Sequence, residues 1–189
     1  MAKLININKP IRATTETAFQ RAIFFNGKTI LGGKTEIKWL DIELPVDTDG
    51  KRRRHCVDLI GIIGNRYVIC ELKFGKDFAA ERPDIAATQV KTYYDSIRKN
   101  WKNLNNKKIH HPDGKAFNWK DIASSRTILC VAANAGYWAY WLGHRKVDIS
   151  GIKDVKFYSE DITTDTFKNQ KGKQQTYLPK LDSSCWDIL

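Results

Sequence analysis

No apolar run in this 189-residue chain approaches the roughly 18 residues that a membrane-spanning helix needs, so no membrane protein is expected. The opening MAKLININKPIRATTE has no continuous apolar stretch of the kind a secretory leader carries, and a soluble, cytoplasmic protein is expected. Internal repeats and low-complexity tracts are also missing, which excludes solenoids and long linkers. The four cysteines, Cys56, Cys70, Cys130 and Cys185, include no CxxC pair, so neither a zinc ribbon nor a redox motif is expected. Three of them fall in strand-like apolar runs, where a free cysteine behaves as a small buried hydrophobe.

Acidic residues are in short supply. Thirty-two Lys and Arg against 21 Asp and Glu leave a net charge of +11 and a pI near 9.5, a surplus that favours a polyanionic partner. Basic residues concentrate in segments 51–54, 98–115 and 168–180, which read as loops or helix ends able to reach phosphates. With 42% hydrophobic residues and six Trp, the chain is not disordered, and its length suits one domain. That domain spans 1–189, with a core over about 14–133 and a C-terminal extension over about 134–189.

Apolar residues recur at helical spacing across 14–27 (Ala18, Phe19, Ala22, Ile23), with Gly27 as the stop. Residues 34–46 alternate like a strand, with a phase slip after Trp39 that suggests a bulge. Two β-rich runs, 55–63 and 66–74, are joined by Gly64-Asn65, a strong hairpin signal. A second helix runs from Pro83 to about Trp101 with Ala86, Val90, Tyr93 and Ile97 inward. A polar excursion over 103–120 follows, then a buried strand over 126–133, a short helix over 136–142 and a strand over 155–162. A basic loop and a short apolar C-terminus end the chain. The order predicts an α/β fold, a central mixed sheet flanked by helices.

The chemistry concentrates in RRRHCVDLIGIIGNRYVICELKFG. With the turn on Gly64-Asn65, Ile63 faces Arg66, and counting back along both strands brings Asp58 opposite Glu71. Side chains so opposed are only about 5 Å apart at Cβ, and two carboxylates that close repel unless a proton or cation lies between them. Lys73, two residues beyond Glu71, projects from the same face. Two hard oxygen ligands in apolar strands suit Mg²⁺, and an adjacent ammonium can orient water and offset developing charge.

Asp58, twelve intervening residues, then Glu71-Leu72-Lys73 resembles the PD-(D/E)XK nuclease superfamily, over roughly 14–133. The residue before the aspartate is Val57, where the nominal motif has proline. The resemblance implies a restriction-endonuclease-like core of helix, three strands, helix and strand, and metal-dependent hydrolysis of phosphodiester bonds in nucleic acid, DNA first. It implies Mg²⁺ or Mn²⁺ held by Asp58, Glu71 and the Leu72 carbonyl, with Lys73 positioning the attacking water. Glu16 on the first helix matches the glutamate that often faces such sites, and Gln89 matches a glutamine common on the later helix. Apart from that resemblance, Arg52, Arg53 and Arg54, just before the Asp58 strand, read either as a phosphate-holding cluster or as an ordinary solvated loop. Cutting both strands of a duplex calls for two such sites, as a homodimer would supply.

Two other classes compete: a nuclease-like module that binds nucleic acid without cutting, and an interaction domain whose basic surface serves solubility. The remaining signals are weaker. His110-His111 lacks partners at ligand spacing and reads as a polar turn. The aromatic run Tyr137-Trp138-Ala139-Tyr140-Trp141 could stack bases, but its helical spacing favours core.

Overall fold

The computed structural model describes residues 16–46, 55–75, 80–106, 117–160 and 184–189. Helix α1 (Glu16–Asn26) buries Ala18, Phe19, Ala22 and Ile23 along one face. It ends where Gly27 adopts φ 78° and its amide bonds the Phe24 carbonyl at 2.9 Å, a left-handed stop that glycine takes without strain. Strands β1 (Lys28–Leu31) and β2 (Thr35–Pro45) form a hairpin, and β3 (Cys56–Ile63) and β4 (Arg66–Lys73) form another. Helix α2 (Pro83–Asn106) and the single turn α3 (Trp119–Ile122) lead to β5 (Ile128–Asn134), which lies parallel to β4. Helix α4 (Ala135–Trp138) continues as a π-helical stretch, Ala139–His144, before β6 (Lys156–Glu160) and β7 (Cys185–Ile188). Among the described residues no helix is long and apolar enough to cross a membrane.

The expected open sheet flanked by helices, the restriction-endonuclease-like core, is not what forms. The seven strands close into a mixed barrel in sequence order. Closure depends on β7, which pairs antiparallel with β6 and parallel with β1, Ile30 opposite Cys185 and Leu31 opposite Trp186. Expectation had neither β1 nor β7, and those two strands turn a sheet with two edges into one with none. Trp186, fully buried, packs against Trp39 and Tyr158 with ring centroids 5.3 and 5.6 Å away.

Two apolar cores divide the molecule. One takes side chains from all seven strands and from Phe19, Ala22 and Ile23 of α1, and so fills the barrel. The other joins α2, α3 and α4 to the outer faces of β2–β6 through residues such as Ile60, Ile69, Val90, Ile97, Trp119 and Val131.

The expected bulge is present: the β2–β3 register shifts between Trp39 and Asp41. Gly61 opposes Trp39 there, and a Cβ at this glycine would lie 2.7 Å from the indole and 2.8 Å from Ile37. A second irregularity follows. An unbroken strand keeps residues i and i+2 on one face, yet Ile42 faces the barrel interior while Leu44 packs outside, and Leu59 and Val57 on β3 divide the same way. Glu43, at φ 48°, lies at the β2 crossover, and Asp58 lies at that of β3. Irregularities of this kind re-aim side chains, and the one re-aimed here is an aspartate.

Candidate active site

The β3–β4 hairpin turns on Gly64, at φ 57°, and pairs Ile63 with Arg66 through to Leu59 with Cys70, the register expected. Just beyond that last pair the Asp58 carboxylate enters the strand gap, and its Oδ2 accepts the Leu72 amide at 2.8 Å. A strand residue's N–H and C=O leave on the same side, so the Leu72 carbonyl also points toward β3. Gln20 of α1 supports the turn of chain by donating to the Asp58 carbonyl at 2.7 Å.

Glu71 and Lys73 are 2% and 6% exposed and lie on the outer face of β4, the face that carries Ile69 into the α2 core. The Lys73 ammonium is 2.8 Å from Glu71 Oε1 and 3.4 Å from Glu81 Oε2. Glu71 Oε2 is buried with no hydrogen-bond partner. Glu16 opens α1, takes a hydrogen bond from the Phe74 backbone and is close enough to Lys73 and Glu81 to feel both charges. Four carboxylates therefore surround a single ammonium.

The electrostatics follow from that imbalance. Burial, then the charges of Glu71 and Glu16, push the Asp58 carboxyl well above its usual range, against the opposing Leu72 amide and Lys73. Burial also pushes Glu71 up to about 7 despite its ion pair with Lys73. Glu16 is raised by burial as well. For Lys73, burial works against the charge, but Glu71, Glu16 and Asp58 outweigh it and hold the ammonium more firmly protonated than usual. Carboxylates that resist ionising beside one another are a pattern of functional sites.

From α2, Gln89 donates to the Tyr93 hydroxyl at 2.7 Å, and its Oε1 is buried without a partner. Tyr93 is pushed up to about 12, by burial first, against the Gln89 bond, with the Glu71 and Asp58 charges adding to the rise. Asp58, Glu16, Glu71, Leu72 and Lys73 are thus gathered around one end of β4, while Gln89 lies on α2 bonded to Tyr93. Arg52, Arg53 and Arg54 lie outside the described residues, as do His110 and His111.

Sequence reasoning missed Glu81 and gave Tyr93 only a core role. Glu81 is an exposed acid ahead of a helix, with no pattern to single it out. Tyr93 had a signal, since Gln89 and Tyr93 are four residues apart and share a helix face.

The donors fit a divalent cation of the hard, oxygen-seeking kind. Among the described residues no three carboxylate, imidazole or thiolate groups converge to hold an ion by themselves. Magnesium, however, is commonly held by one or two carboxylates with water completing its shell, and Asp58, the orphaned Glu71 oxygen and the Leu72 carbonyl form such a set. No family model matches the chain, and no curated protein and no solved structure resembles it at a significant level.

Proposed function

We propose that the protein is a metal-dependent nuclease that hydrolyses phosphodiester bonds in nucleic acid, DNA first, in the manner of the PD-(D/E)XK enzymes. The reading rests on the side chains rather than the fold, since the barrel is not the open core of that superfamily. The observation that carries it is the convergence of Asp58, Glu71 and Glu16 on the Lys73 ammonium at the point where the β3–β4 ladder breaks. Stacking that much like charge in an apolar setting costs stability, which points to a cation and an anionic substrate as its purpose.

Asp58 and Glu71 would hold Mg²⁺ or Mn²⁺ through carboxylate oxygens, with the Leu72 carbonyl and Glu16 adjoining. The ion, when bound, supplies Lewis acidity toward a phosphoryl oxygen and a more acidic water. Lys73 stays charged, so it serves as donor and counter-charge rather than as base. It orients the attacking water and offsets negative charge as water adds to phosphorus and the ester P–O bond breaks. Gln89, with Oε1 free to accept, can fix a second hydrogen bond of that water. The net charge of +11 suits the phosphate backbone, so binding should weaken steeply with salt.

The test is incubation of the protein with plasmid, linear, single-stranded and branched DNA in Mg²⁺, Mn²⁺ or EDTA. Cleavage should require the divalent ion. Lys73→Ala should retain divalent binding by calorimetry while its rate falls about 100-fold or more, the usual worth of such a group. Lys73→Ala cutting at the wild-type rate would overturn the mechanism. Salt-sensitive binding with no cutting of any substrate would make the protein a binding module instead.

A further inference from the structure

Beside the Lys73 cluster an open groove of about 530 Å³ runs between the start of α2 and the end of the π-helical stretch. The two sites adjoin through the backbone. Glu81, which pairs with Lys73, precedes Arg82 of the groove wall, and its carbonyl accepts the Tyr137 hydroxyl at 2.6 Å. Tyr137 belongs to α4, which continues into the π-helical stretch and so into the opposite wall.

That wall has an unusual construction. The wide π-turn, closed by the Arg145 amide on the Tyr140 carbonyl at 2.8 Å, is a distortion that recurs at functional sites. Lys146 follows at φ 54°, a left-handed conformation that a non-glycine residue rarely adopts. Tyr140 and Trp141 are half-buried, Trp141 with one side against the helical core, and they flank the groove with Arg145 and Lys146. The Arg145 guanidinium lies over the Tyr140 ring, 5.4 Å from its centroid, and donates to the Tyr140 hydroxyl at 2.7 Å. Among the described residues neither Arg145 nor Lys146 makes an ion pair. The Trp141 indole N–H is buried without an acceptor, and such a donor calls for one. Two acids also line the groove. Asp84 is bound by Arg82 at 3.0 and 3.1 Å, and Asp148 accepts from the Ser150 amide at 2.8 Å, so the positive charge prevails.

We propose that this groove binds an unpaired nucleotide of the strand being cut, its base stacked on Trp141, to which the Tyr140 ring stands edge-on at 81°, and its phosphate on Arg145 and Lys146. The proposal rests on the reading of the Lys73 cluster as a nuclease site and gives that site a substrate class, nucleic acid with a single-stranded segment next to the scissile bond. Aromatic platforms paired with cations are how single strands are held without reading sequence, and the volume is within the range of about 300–1,000 Å³ that small-ligand sites occupy. A base within a duplex cannot stack on Trp141 without leaving its helix, so the groove discriminates by strandedness.

The test separates binding from cutting. Labelled oligo-dT, oligo-U and a blunt duplex are titrated in EDTA at fixed salt with wild type, Trp141→Ala, Trp141→Phe and Arg145→Glu. Trp141→Ala should weaken oligo-dT binding about 5- to 100-fold, the range of one lost base–aromatic stack, while duplex affinity changes less than about twofold. Trp141→Phe should recover most of the loss. Arg145 is exposed, so Arg145→Glu keeps the test alive if Trp141→Ala fails to fold, and it should weaken oligo-dT binding as well. Comparing oligo-dT with oligo-U assigns the strand as DNA or RNA. Wild-type oligo-dT and oligo-U affinity in both Trp141→Ala and Arg145→Glu would overturn the proposal. Loss of binding in these variants, in a protein that cuts nothing with Mg²⁺ or Mn²⁺, would uphold the groove and sink the nuclease reading alone.

Discussion

Glu71 and Glu160 invite comparison, because by local measures they are the same residue. Each is 2% exposed, each is pushed up to about 7 by burial, and each has one carboxylate oxygen without a hydrogen-bond partner. Their surroundings differ in charge. Glu160 accepts the Trp186 indole N–H at 2.7 Å and a hydrogen bond from Ser184. From there the Ser184 and Thr29 hydroxyls share a 2.7 Å hydrogen bond, and the Trp39 indole donates to Thr29 at 2.8 Å. Every partner is neutral, and the chain of bonds ties β6, β7, β1 and β2 together where the barrel closes. Glu71 instead shares its space with Asp58, Glu16, Glu81 and Lys73. Burial holds the proton on Glu160 against the pull of its two neutral donors, whereas carboxylates crowded against one another call for a cation. A raised pKa alone distinguishes neither case; the sign of the neighbours does.

The comparison is tested most severely at the latch. Trp186→Ala removes a fully buried indole and the Glu160 bond together, so a loss of about 3–5 kcal/mol is expected, as for other large-to-small core substitutions. Urea denaturation measures it. A loss below about 1 kcal/mol would show that β7 does not hold the barrel shut.

Next in size is the contrast in function. Glu71→Gln should lower the cleavage rate about 100-fold or more and abolish the stabilisation that added Mg²⁺ confers on the wild type in thermal melts. Glu160→Gln should stay within about twofold of wild type in rate and keep the response to Mg²⁺. Equal losses in both variants would erase the distinction drawn between the two clusters.

The β3–β4 hairpin was legible in the sequence and the closure was not, for reasons of range. The turn on Gly64-Asn65 sets the register from Ile63–Arg66 to Leu59–Cys70 as local rules foretell, but the ladder stops before the expected Asp58–Glu71 pair, and Asp58 takes the Leu72 amide instead. The bulge after Trp39 was legible as a phase slip in alternation. Strands β1 and β7 are four residues each, too short to show a period, and their pairing joins the two ends of the described chain. No local pattern carries that information. The aromatic run is an intermediate case. Helical spacing correctly sends Tyr137 and Trp138 to the core, but the π-helical stretch that carries the half-buried Tyr140 and Trp141 leaves no trace in periodicity. Glu81 meets Lys73 at 3.4 Å from just ahead of α2, a contact that no local pattern signals.

The smallest effect is also the most specific, and it concerns pH. Burial raises Glu160 from the ordinary 4.5 to about 7, so the folded protein holds this proton more tightly than the unfolded chain does. Stability then falls as pH rises from about 4.5 to about 7, because over that window the unfolded chain has released a proton that the folded protein keeps. Above about 7 the full penalty applies. One pKa unit corresponds to about 1.4 kcal/mol, which bounds the effect near 3 kcal/mol, and relaxation around the charge should reduce it to about 2. Glutamine mimics the protonated form and can still accept the Trp186 bond. Glu160→Gln should therefore match wild type near pH 4.5 and exceed it by about 2 kcal/mol at pH 8, measured by urea denaturation at both values. Glu71, Asp58 and Glu16 titrate alike in the two proteins, so their contributions cancel in the difference. A gap between variant and wild type that is the same at both pH values would mean that Glu160 is not protonated in the latch, and the neutral half of the comparison would fail.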